Sequence, residues 1–99
     1  MSKLEILVIC RHAEILQTIV RLVKNNPAWN AIPANTDLEA IATFDSNTID
    51  LVLLGSGIEP ESEAELRLHF TKQNPAIIIV QHYGGGSGLL AAEIYEALK

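Results

Sequence analysis

Three short, almost wholly apolar runs set the terms for any fold of this chain: "LEILVIC" at residues 4–10, "IDLVLL" at 49–54 and "AIIIV" at 76–80. Runs this short, rich in β-branched residues in the first and last, read as strands covered on both faces, the mark of a parallel sheet between helical layers. A fourth segment, "WNAIPA" from Trp29 to Ala34, has strand character, and Pro33 assigns it to a sheet edge because proline offers no ladder N–H.

Helical patterns fill the intervals. From Ala13 to Lys24, Ile15, Leu16, Ile19, Val20, Leu22 and Val23 recur at three- and four-residue spacing until Asn25-Asn26-Pro27 stops the pattern. Thr36 with Glu39 forms a capping-box pattern ahead of Leu38, Ile41, Ala42 and Phe44. Pro60 followed by Glu61, Glu63 and Glu65 suits the positive end of a third helix, where the acids serve the helix dipole. A last helix spans about Ser87 to Leu98, with Leu90, Ile94 and Leu98 on one stripe. The order βαβαβαβα, with right-handed crossovers, predicts a three-layer α/β sandwich: a doubly wound, four-stranded parallel sheet of order 2-1-3-4.

With 99 residues the chain fits one domain, 1–99, that buries roughly two thirds of its unfolded surface. Seven basic against twelve acidic residues leave a net charge of −5, which disfavours binding along a nucleic-acid backbone. A single cysteine excludes an internal disulfide, and with no signal-like opening segment or membrane-length apolar run, a cytoplasmic location away from the membrane is expected.

Residues 3–58, "KLEILVIC" through "DLVLLGSGI", together with "NPAIIIVQH", resemble a response-regulator receiver (CheY-like) domain over roughly residues 3–83. The resemblance lies in pattern rather than in chemical motif. It implies a flavodoxin-like fold, and matches the acidic pair that closes the first strand of receivers to Cys10 and Arg11. It matches the phosphoacceptor aspartate to Gly55 and the Ser or Thr ending the fourth strand to Gln81. Aspartyl phosphorylation needs a carboxylate nucleophile and a magnesium ion, so the resemblance implies a receiver-like regulatory domain, non-catalytic and without metal or cofactor, that acts through protein contacts. A second resemblance is to the IIB components of the phosphotransferase system, of lactose and cellobiose type, which would make Cys10 a phosphocarrier. Against it, "RHAEILQ" follows Cys10 with no glycine or serine to cradle a phosphate, and Glu14 would repel one.

Other sites stay open. Strand C-termini converge on a crevice at the reversal of strand order, where Cys10-Arg11-His12 and Gly55-Ser56-Gly57 should meet. An arginine facing a glycine turn can hold an anion or nucleotide, whereas an arginine paired with a nearby acid such as Glu59 cannot do so as readily. In "YGGGSG", Gly84, Gly85, Gly86 and Ser87 read either as a phosphate cradle or as a hinge for the last helix. Cys10, His12 and His82 could share the same edge as soft ligands, though no metal is expected, and His69 reads as a surface residue.

The receiver resemblance stops one βα unit early and so leaves "AIIIV" as a sheet edge, uncharged and without proline, which calls for cover. A homodimer is expected, through paired fourth strands or an exchanged final helix, with Ile77, Ile78, Ile79, Leu90, Ile94 and Leu98 as interface residues, besides a protein partner that the sequence does not identify.

Overall fold

The computed structural model describes residues 3–55, 57–82 and 87–98, with side chains for all of these except 87–89. The elements run β1 (Leu4–Ile9), α1 (Ala13–Lys24), β2 (Trp29–Ala34), α2 (Asp37–Ser46), β3 (Leu51–Leu54), α3 (Pro60–Gln73), β4 (Ile78–Gln81) and α4 (Ser87–Ala97). All strand pairs are parallel and the sheet order is β2-β1-β3-β4, as the run of apolar segments predicts. None of the helices among the described residues is long and apolar enough to cross a membrane.

Alternation along the strands splits the core in two. Ile6, Val8, Cys10, Leu51 and Leu53 face α1 and α4, meeting Leu16, Ile19, Val23, Leu90 and Ile94. Leu7, Ile9, Val52 and Leu54 face α2 and α3, meeting Ala40, Phe44, Leu66 and Phe70. Every residue of β3 is buried, because helices cover both of its faces, whereas every residue of β4 is only partly so. Burial of a Leu, Ile or Phe side chain contributes roughly 1.5–3 kcal/mol, so these two faces dominate stability.

The position of α4 follows from the chain's route. A right-handed crossover to a further strand beyond β4 would carry its helix over the α2 and α3 face. Instead α4 lies beside α1, with Leu90 and Ile94 sunk into the first cluster. The Tyr95 ring sits 4.9 Å from that of Trp29, and Asn26 Nδ2 donates to the Tyr95 hydroxyl at 2.8 Å. Leu90 and Ile94 are therefore core residues of their own chain, and the interface role expected of them would require an exchange of α4. Only Leu98 of that stripe is substantially exposed.

The buried set of α2 also differs from the expected one. Leu38 is 81% exposed and Ala42 is exposed, while Ala40 and Phe44 are buried. The cap sets the phase: Thr36 Oγ1 accepts from the Glu39 N–H, which turns Ala40 and Phe44, one turn apart, onto the sheet. His69 is more than a surface residue, since it bonds Asp45 of α2 at 3.0 Å and stands edge-on to Phe44 and Phe70.

Candidate functional site

The C-terminal ends of β1 and β3 abut at the reversal of strand order, and close packing there controls what the crevice can do. A Cβ on Gly55 would lie 3.0 Å from both Cys10 Cβ and the Ile9 carbonyl oxygen. That carbonyl already accepts the Gly55 N–H at 2.6 Å. Gly57 has φ +84°, a backbone region that L side chains rarely adopt, and a Cβ on it would sit 3.0 Å from Arg11 Cβ and from His12 Nε2. Both glycines let the β3–α3 loop lie flat against the end of β1.

Arg11 is held from three sides. Its guanidinium pairs with Asp37, the first residue of α2, lies 3.5 Å from Glu59, the residue preceding α3, and donates to the Asn35 carbonyl at 3.3 Å. Burial by itself would lower the Arg11 pKa, but the hydrogen bonds and charges of Asp37 and Glu59 outweigh it and raise the pKa above its usual value. Hydrogen bonds from Arg11 first, and from Ser62 second, hold Glu59 below the ordinary glutamate range. Asn35 ties the same loops together by donating to the carbonyls of Cys10 and Arg11 at 3.2 and 3.0 Å. One guanidinium between two carboxylates at two helix N-termini makes an internal clasp, and the pairing with Glu59 is the alternative weighed against anion binding.

Cys10 and His12 lie against the two glycines, but the remaining candidates do not gather into one ligand set among the described residues. Cys10 is fully buried, and its Sγ–H donates to the His12 carbonyl at 3.6 Å. The His12 side chain is exposed, and His82, 9% exposed, places Nδ1 2.5 Å from Glu93 of α4. No group of three His, Cys, Asp or Glu residues that could hold a metal occurs among the described residues. Ser56, Gly84, Gly85 and Gly86 lie outside the described residues, and Ser87 opens α4. Sequence reasoning missed Asp37 and Asn35 as partners of Arg11. The signal was present in "ANTD", which puts two hydrogen-bonding side chains at the end of β2, opposite the end of β1.

No family model matches the chain, and no curated protein matches it. Solved structures do. The response-regulator receiver domain protein from Clostridium thermocellum superposes with TM-score 0.76 at 21% identity, covering 99% of this chain and 94% of that one. The receiver domain of the hybrid histidine kinase CckA gives 0.70 at 16%, over 96% and 99% of the two chains. The CheY-like receiver domain protein from Methanospirillum hungatei JF-1 gives 0.68 at 19%, over 98% and 76%. At such identities the likeness is one of fold: this chain carries the CheY-like, doubly wound fold of response-regulator receiver domains. These neighbours lend no support to the IIB resemblance.

Proposed function

We propose that the chain is a receiver-like regulatory domain, non-catalytic and cytoplasmic, that works through protein contacts and accepts no phosphoryl group. The observation that carries this reading is the crowding at Gly55. The position that the receiver resemblance matches to the phosphoacceptor has no side chain, and its surroundings, Cys10 Cβ and the Ile9 carbonyl, leave no ordinary space for one. The clasp supports it further: Arg11 stands where the resemblance places metal-holding acids, already engaged by Asp37 and Glu59. A phosphoryl group needs a nucleophile within reach and cations to neutralise its oxygens. Cys10 is a poor nucleophile in this setting, because a thiol buried on the α1 side of the sheet is shielded from attack.

The test is intact-mass spectrometry after incubation with acetyl phosphate and Mg²⁺. The reading predicts no adduct on wild type or on Cys10→Ser. A phosphoryl adduct that Cys10→Ser abolishes would establish a phosphocarrier, and one that survives Cys10→Ser would establish another acceptor; either overturns the reading. The anion alternative at Arg11 is checked by thermal shift with phosphate and nucleotides, for which no stabilisation is expected at millimolar ligand.

A further inference from the structure

We infer that two copies of this chain join along β4, antiparallel and edge to edge, with Ile79 on the two-fold axis. This rests on the reading that the domain works through protein contacts, and it names the partner and the register. Among the described residues no strand lies beyond β4. All four of its residues are partly exposed, whereas β3 beside it is buried throughout.

The direction of the main chain is set by one bond. His82 N–H donates to the Leu54 carbonyl at 2.9 Å, so the alternation of a parallel ladder turns Ile78 and Val80 toward β3 as well. The N–H and C=O groups of Ile79 and Gln81 therefore point away from the sheet. A two-fold axis through Ile79 pairs Ile79 with the partner's Ile79, Ile78 with the partner's Val80 and Ile77 with the partner's Gln81. Each pair shares a residue parity, so the α1-side and α2-side faces of the two sheets continue across the join without a slip. Ile79 exchanges both of its main-chain bonds with its own copy, and the Gln81 N–H meets the carbonyl of the partner's Ile77. The Ile77 N–H is not needed, since it already bonds the Asn74 carbonyl at 3.0 Å.

Charge selects a second copy as the occupant. Edges that stay monomeric commonly carry lysine, proline or an inward charge, and residues 77–81 have none. Flanking the edge, α3 turns Leu66 and Phe70 to the core and His69 toward Asp45 of α2, so helical spacing puts Glu63 and Arg67 on the opposite flank, above β4. A two-fold axis runs α3 antiparallel to its copy, which brings Glu63 toward the partner's Arg67 and Arg67 toward the partner's Glu63. The closed symmetry leaves neither edge open. Exchange of α4 would remake the contacts of Leu90, Ile94 and Tyr95 in the partner's core but would leave both β4 edges unpaired, so it does not supply the cover that the edge needs.

The experiment is light-scattering chromatography and sedimentation over a concentration series, on wild type, Ile79→Lys and Gln81→Pro. Lysine at the axis would meet its own copy, and proline removes the outward Gln81 N–H while leaving the bonds to β3 in place, so it serves if the lysine variant fails to fold. Wild type should be a dimer down to low micromolar concentration. The variants should dissociate at concentrations roughly tenfold higher or more while keeping a wild-type circular dichroism spectrum. A monomeric wild type at the highest concentration overturns the inference and leaves the edge to an extended peptide of another protein. A dimer indifferent to both variants overturns it too. The phosphoryl assay is independent of mass: a monomer without an adduct sinks the strand pairing alone, and an adduct sinks the reading of the site whatever the oligomeric state.

Discussion

Aspartate in place of Gly55 introduces a carboxylate at the position that the receiver resemblance matches to the phosphoacceptor, and the packing predicts that the protein tolerates it badly. The new Cβ meets Cys10 Cβ and the Ile9 carbonyl oxygen, both at 3.0 Å. The second contact is backbone within the β1–β3 ladder, so it cannot swing aside as the end of a long side chain could. Overpacking of this kind costs about 1–3 kcal/mol. The carboxylate would be carried on a Cβ that abuts a carbonyl oxygen at a buried backbone position, and a buried polar group left unpartnered costs about another 1–3 kcal/mol, more when charged. A combined loss of about 2–6 kcal/mol is a large share of the roughly 5–15 kcal/mol that ordinarily separates folded from unfolded domains. Gly55→Ala isolates the steric part and should lose about 1–3 kcal/mol. Urea unfolding followed by the fluorescence of Trp29, the single tryptophan, measures both. If Gly55→Asp unfolds within about 0.5 kcal/mol of wild type, the loop has room for a side chain and the crowding argument is refuted.

Gly57→Ala should cost about 1–3 kcal/mol, since any side chain is strained at φ +84° and its Cβ presses on Arg11 and His12; an unchanged urea midpoint would count against this. Glu59 is depressed in the folded state, so its contribution is present above the ordinary glutamate pKa and lost as pH falls through the lowered value. Wild type and Glu59→Gln should therefore differ in thermal midpoint near neutral pH and converge in acid, with the difference shrinking in high salt. Tyr95→Ala removes the ring contact with Trp29 and the Asn26 hydrogen bond, and should cost about 1–2 kcal/mol in urea while leaving the sheet intact.

Most of the architecture could be read from local pattern. α1 spans Ala13–Lys24 as its periodicity predicts, and β2 spans Trp29–Ala34 at a sheet edge as Pro33 requires. Strand bounds slipped where apolar residues run on past the pairing: Ile49 is buried yet precedes β3, and Ile77 precedes β4. The face taken by α4 was beyond local reading, because it is set by packing beside α1 rather than by the helix's own pattern, and so the burial of Leu90 and Ile94 in the chain's own core was not foreseen. At the site, the sequence brought Arg11 to Gly55 and Gly57 through strand order alone. Asp37 was passed over although "ANTD" offers it at the end of β2, because an acid in the first turn of a helix looks sufficiently explained by the dipole. Nor could the sequence pair His82 with Glu93, since that contact follows from the unforeseen placement of α4.

The central claim is that this receiver fold has no phosphoryl chemistry at the ends of β1 and β3. The most direct measurement is the ¹H–¹⁵N spectrum of the labelled protein titrated with Mg²⁺ and then with beryllofluoride, a mimic of an acyl-bound phosphoryl group. The account predicts that the amides of Cys10, Arg11, His12, Gly55 and Gly57 stay where they are at every addition. Saturable shifts gathered on those residues would contradict it.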